Sequence, residues 1–156
     1  MMKAVSLWQP WASAMEHGLK RNETRSWPIA YRGDLIVCSA KRRINEIGLD
    51  TVEAMMGTEL VRPEDRSIKE SLDRLPYGTA LCVVEVCGCV ESEKFASYRS
   101  SELSKRERLF GDYSIGRFVW MTRNCRRLNS PVPVVGRQGL FEIIGETLNK
   151  IKSTTS

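Results

Sequence analysis

Three tryptophans, Trp8, Trp11 and Trp27, share the first 27 residues with Lys20, Glu23 and Arg25. Packing alone does not call for so many large rings beside so many charges. An indole can stack on a flat ligand, and interleaved charges can orient one. Lys20 and Glu23 offer two chemistries. As a binding cluster with Arg25 they read a base or a phosphate. As a working pair, the carboxylate takes a proton from water while the ammonium steadies an oxyanion. The structural alternative is an ion pair that fixes the strand after the first helix, and surface pairs of that kind contribute little.

Other candidates carry the same double reading. Gln9 and Gln138 each hold a donor and an acceptor suited to a base edge, or else satisfy a local turn. Arg137, flanked by Gly136 and Gly139, can present a guanidinium to phosphate, with the glycines allowing close approach. A plain turn before the last strand explains the same glycines. Asp112, with Arg117 nearby, either lines a cleft or closes an ion pair. All four tryptophans are candidates for a stacking wall. Trp11, on a helix, reads as core, whereas Trp8 stands at a strand end where a cleft mouth falls, and Trp27 is its companion. His17 stands alone, a weak catalyst. Cys87-Gly88-Cys89 has no second pair at zinc spacing, so these thiols read as small buried hydrophobes. Neither a metal nor a cofactor is expected.

The elements that must position these groups are short. Residues 3–7 form a first strand delivering Trp8 and Gln9 to a turn; Pro10 opens a helix that runs to His17, and Gly18 stops it. Residues 23–27 are extended, and 35–40 form a buried strand. Apolar spacing predicts a helix over 44–56, and β-branched residues make 79–90 the strongest strand. The polar stretch 62–75 reads as a helix or a mobile excursion, and 100–110 as a helix. Residues 111–113 form a loop. Further strands fall at 118–121, 133–135 and 138–144. With no βαβ repeat, this order predicts an α+β fold, a mixed β-barrel with flanking helices. One domain spans 1–145, and 146–156 reads as a frayed tail.

Composition bounds the setting. The 156 residues are 42% hydrophobic and 28% charged with a net charge of +5, a globular balance able to bury a core. No apolar run approaches a membrane span and no signal peptide is read, so a cytoplasmic protein with reduced thiols and no membrane partner is expected. Basic clusters at Lys41-Arg42-Arg43, Lys105-Arg106 and Arg126-Arg127 favour an anionic partner, RNA or a nucleotide, or else mark a solvated face.

Five blocks in order carry a resemblance. They are Ser6-Leu7-Trp8-Gln9-Pro10-Trp11-Ala12, then Gly18-x-Lys20-x-x-Glu23-Thr24-Arg25-Ser26-Trp27, Tyr31-Arg32-Gly33, the segment from Phe110 to Trp120, and the segment from Pro131 to Leu140. Together they resemble the ASCH domain family, whose fold is similar to the RNA-binding PUA domain. The resemblance implies RNA binding in a cleft beside the barrel. Some small members hydrolyse the amide of N4-acetylcytidine, using a lysine that activates a threonine three positions later and a downstream glutamate. Lys20 falls on the lysine position, but Glu23 stands where the threonine would be. Extended backbone sends Thr24 to the opposite face, out of reach of the same base, so the acyl-enzyme route is lost. Direct hydrolysis remains, with Glu23 as general base on water; the downstream acid is Glu107 or Asp112.

The sequence therefore predicts a PUA-like domain binding RNA or a modified nucleoside through Trp8, Gln9, Lys20, Glu23, Arg25, Trp27, Asp112, Arg137 and Gln138. Its alternatives are an amidohydrolase working through Lys20 and Glu23, and a non-catalytic protein-interaction module. Arg62 to Leu75 is left open as a lid.

Overall fold

In the computed structural model, which describes residues 1–44 and 46–155, six strands form one curled mixed sheet with helices on its flanks. In chain order the strands are β1 (Met2–Leu7), β2 (Glu23–Arg25), β3 (Gly33–Ser39), β4 (Thr79–Glu91), β5 (Phe118–Pro133) and β6 (Leu140–Ile143). The spatial order is β2-β5-β4-β3-β1-β6; β1 and β3 are parallel and every other pair is antiparallel. Helices α1 (Trp11–Glu16), α2 (Leu49–Met55), α3 (Ile68–Asp73), α4 (Ser92–Arg99) and α5 (Lys105–Phe110) lie in the connections, and α6 (Gly145–Thr154) follows the last strand.

Side-chain alternation along the central strands separates two cores. Val5, Leu7, Leu35 and Val37 join Ala12 and Met15 of α1 and the buried Trp120 on one face. Ala4, Ile36 and Cys38 join Leu128, Val132, Leu148 and Ile151 on the other. A strand with both faces covered needs apolar residues at successive positions, and 35–38 supplies them. A third cluster of Ala14, Met55, Leu60, Leu72, Leu75 and Phe110 seals α2, α3 and α5 to the end of α1.

Several elements differ from expectation. The strand expected at 118–121 runs on as one continuous strand, β5, of 16 residues, and of the strand expected at 133–135 only Pro133 falls within it. Its polar middle pairs with β4 at Arg123, Arg126 and Arg127, across register shifts, with Asn124 at φ 51°. Arg123 and Asn124 donate to Glu85 there, so charge on this face reflects an exposed ladder and not a loop. The helix expected over 44–56 is confined to Leu49–Met55, and that over 100–110 to Lys105–Phe110 after a short 3₁₀ turn. Asn45 within the first, and Ser156 at the tail, lie outside the described residues. Cys87 is exposed rather than buried.

Residues 62–75 hold α3, anchored by the buried Leu72 and Leu75. Asp65 ties this segment together by accepting from the Arg62 N–H, the Ser71 hydroxyl and the Arg74 guanidinium. Burial pushes the Asp65 carboxyl up, but these donors outweigh it and hold its pKa at about 2. No helix among the described residues is long and apolar enough to cross a membrane.

The tail expected to fray is helix α6 instead. Leu148 and Ile151, three positions apart on one face, are buried in the second core, and Thr155 bridges to Leu128. Ile151→Ala should lower unfolding free energy by about 3 kcal/mol, because the side chain is fully buried. Urea unfolding measures this; a frayed tail would give no change.

Candidate functional site

The site starts from a turn. Gly18, at φ 71°, ends α1, and the Leu19 and Lys20 N–H groups both donate to Ala14 O. This carries the Lys20 side chain inward, where it is 2% exposed. A buried ammonium needs compensating partners. Lys20 Nζ donates to the Asn22 carbonyl and, at 2.8 Å, to Glu23 Oε2, while Arg25 Nε donates to Glu23 Oε1 at 2.8 Å. One carboxylate is thus bracketed by two cations.

Glu107 fixes this segment from behind. Its carboxylate accepts from Arg21 N at 2.7 Å, Asn22 N at 2.8 Å and the Tyr113 hydroxyl at 3.0 Å. Burial, then the charge of Glu107, pushes the Tyr113 hydroxyl well above its ordinary pKa, so it stays a donor. Of the two downstream acids, Glu107 is turned away from the cleft that Lys20 and Glu23 border, and Asp112 borders it. The Ser114 hydroxyl leads the donors that lower the Asp112 carboxyl below its ordinary value; partial burial opposes them, and the Ser114 N–H and Arg117 add to them.

Strand alternation holds at β2. Glu23 and Arg25 bond to one another, whereas Thr24 Oγ1 accepts from Asp112 N at 3.1 Å. Thr24 nonetheless borders the same cleft as Glu23. Arg117 joins the layers, donating to Thr24 O at 3.0 Å and pairing with Asp112 at 3.3 Å.

Two adjoining depressions share these residues. The inner cleft, about 510 Å³, is walled by Trp11, Lys20, Glu23, Thr24, Asp50 and Asp112. The outer groove, about 620 Å³, is lined by Trp8, Arg25, Trp27, Lys41, Arg42 and Arg137. A hollow of about 300 Å³ between them shares Glu23 and Thr24 with the first and Trp8 and Arg25 with the second. The predicted residues therefore divide: Lys20, Glu23 and Asp112 inside; Trp8, Trp27, Arg137 and Gln138 outside; Arg25 at the junction.

Trp8 is 46% exposed, with the Arg42 guanidinium 5.6 Å from its ring centroid. Trp27 is half-buried, edge-on to the core ring of Trp120 at 4.6 Å. Gly136 lies against β1, where a Cβ would come 2.6 Å from Ser6 Oγ; this seats the Arg137-Gln138 turn at the groove.

Gln9 departs from expectation. It is fully buried, accepting from Ser13 N at 3.0 Å and donating to Ser13 Oγ and Pro76 O. Its carboxamide caps α1 and borders none of the three depressions. Arg126 and Arg127, read as a phosphate-attracting cluster, pair with Asp34 and Glu16. Lys41 and Arg42, read only as part of a basic cluster, line the outer groove, and Arg117, read only as a neighbour of Asp112, lines the inner cleft. Trp11, read as core, packs against the third cluster and also walls the inner cleft, its Nε1 donating to Phe110 O at 2.8 Å.

A curled mixed sheet with flanking helices and such a groove defines a PUA-like domain. Residues 5–131 match the ASCH domain, and the chain belongs to that family, whose PUA-like fold is associated with RNA binding. Among relatives, Activating signal cointegrator 1 of Mus musculus is 25% identical over 139 residues, covering 89% of this chain and 22% of that protein. Its Homo sapiens counterpart is 24% identical over the same extent. The chain thus spans about a fifth of the length of these relatives. The crystal structure of ASCH from Zymomonas mobilis has a TM-score of 0.56 at 16% identity, covering 99% of this chain and 96% of that one. A point mutant of the same protein has a TM-score of 0.56 at 14% identity, covering 99% of each chain. These structures share the fold.

Glu107→Ala should cost about 3 kcal/mol in urea unfolding, since it strands two backbone N–H groups beneath the site. Asp112→Ala, at an exposed residue, should cost less than about 1 kcal/mol.

Proposed function

We propose that the chain binds single-stranded RNA along the outer groove and turns one nucleoside, standard or modified, into the inner cleft. The observation that carries this reading is the exposed Trp8 ring in a groove lined by Arg25, Lys41, Arg42 and Arg137 and, among the described residues, by no carboxylate. An open indole offers every base a stacking face, and the surrounding cations track phosphates. Trp27 extends the aromatic wall, and Gln138 offers both a donor and an acceptor at the rim.

A second reading, hydrolysis of an N4-acylated cytidine, rests on Lys20. Two of its three N–H donors are engaged, which leaves one for an oxyanion in the inner cleft. Against it, both Glu23 oxygens face cations, so neither accepts a proton without disturbing an ion pair. That arrangement favours binding over turnover.

Fluorescence anisotropy with a short single-stranded RNA tests the proposal. Affinity should fall steeply as salt rises, and Trp8→Ala should weaken it about tenfold or more. Affinity indifferent to both salt and Trp8 would overturn the reading and favour a protein-interaction module. Release of cytidine from N4-acetylcytidine, abolished by Glu23→Ala, would establish the second reading instead.

A further inference from the structure

The two depressions differ in charge. Among the described residues the outer groove is lined by four cations and no carboxylate, with Arg25 paired to Glu23 of the inner cleft. The inner cleft sets three carboxylates, Glu23, Asp50 and Asp112, against Lys20 and Arg117. Within it, Glu23 is occupied by Lys20 and Arg25, while Asp112 Oδ1 accepts from Ser114 N and Oγ and Asp112 Oδ2 pairs with Arg117 at 3.3 Å. Asp50, in the first turn of α2, has no side-chain partner among the described residues and stands as an open acceptor. Trp11, Leu109 and Phe110 give the cleft an apolar wall suited to a planar ring, and its size lies within the range of small-molecule sites.

A phosphate is attracted to the outer groove and repelled from an acid-rich cleft. A base edge entering that cleft meets acceptors, which favours N–H donors and disfavours carbonyl oxygens. Cytosine and adenine carry an exocyclic amino group at the position where uracil and guanine, respectively, carry a carbonyl; guanine's own amino group lies on the far side of that edge, so its O6 would face the acceptors. We infer that the inner cleft selects an amino-bearing base, cytosine or adenine or a cationic derivative of either, by placing its N–H edge against Asp50 and Asp112 while its phosphate lies outside with Lys41, Arg42 and Arg137. This rests on the RNA-binding reading above and adds the class of base that the site takes.

The test compares short single-stranded homopolymers of cytidine, adenosine and uridine at neutral pH. One charge-assisted hydrogen bond corresponds to a preference of about tenfold for the cytidine and adenosine strands over the uridine strand. Asp50→Asn combined with Asp112→Asn should bring that ratio close to one. Asp50→Asn alone, at an exposed residue, should reduce it, and serves if the double variant does not fold. Equal affinity for all three strands, or preference for uridine, with binding still dependent on Trp8 and salt, overturns this inference and leaves the RNA reading intact. Binding to none of them overturns both.

Discussion

A buried lysine organises this protein. Lys20 is taken out of water at the end of α1, and the cost of removing its charge from solvent must be offset by groups held in fixed positions. The Asn22 carbonyl and the Glu23 carboxylate supply that offset. Their placement depends on Glu107, which gathers the Arg21 and Asn22 N–H groups from a different helix far along the chain. Arg25 completes the arrangement by binding the second Glu23 oxygen and, at 3.2 Å, the Ser6 carbonyl of β1. A single chain of charge compensation therefore links α1, β2, α5 and β1. The inner cleft and the outer groove meet where these elements come together.

The same chain of contacts separates scaffold from surface. Gln9, Glu107 and Trp120 have the residue types expected of a binding site, yet each is buried and spends its polar atoms inside the protein. Trp8, Lys41, Arg42, Arg137 and Gln138 keep theirs in the groove. Charge follows the same division. Arginines on the exposed β4–β5 ladder are matched by Glu85 and Asp34, whereas of the groove cations Arg25 alone is paired with a carboxylate, Glu23, among the described residues. The unbalanced positive charge is therefore concentrated beside the open indole.

Local patterns made much of the fold legible. The alternation of β1, the Pro10 and Gly18 punctuation of α1, the apolar run of β3 and the β-branched run of β4 are short-range signals, and each lies where its sequence places it. What the sequence hid depends on distant partners. The polar middle of β5 reads as loop until β4 pairs with it, and α6 reads as tail until Leu148 and Ile151 meet the second core. At the site, the Lys20-Glu23-Arg25 cluster was legible from its spacing. The choice between Glu107 and Asp112 was not, because only the fold turns one carboxylate under the Arg21–Asn22 turn and leaves the other at the cleft. Gln9 carried two readings, a base edge or a local turn, and the choice between them was hidden because its partner Pro76 lies 67 residues away.

The central claim is that one basic, aromatic groove beside the Lys20 cluster receives RNA. Ultraviolet cross-linking of the purified protein to a short single-stranded RNA, with the attached peptides read by mass spectrometry, tests it most directly. Adducts are expected on the peptides holding Trp8, Trp27 and the 136–139 turn. Adducts confined to the β6 and α6 face, with these peptides unmodified, would contradict it.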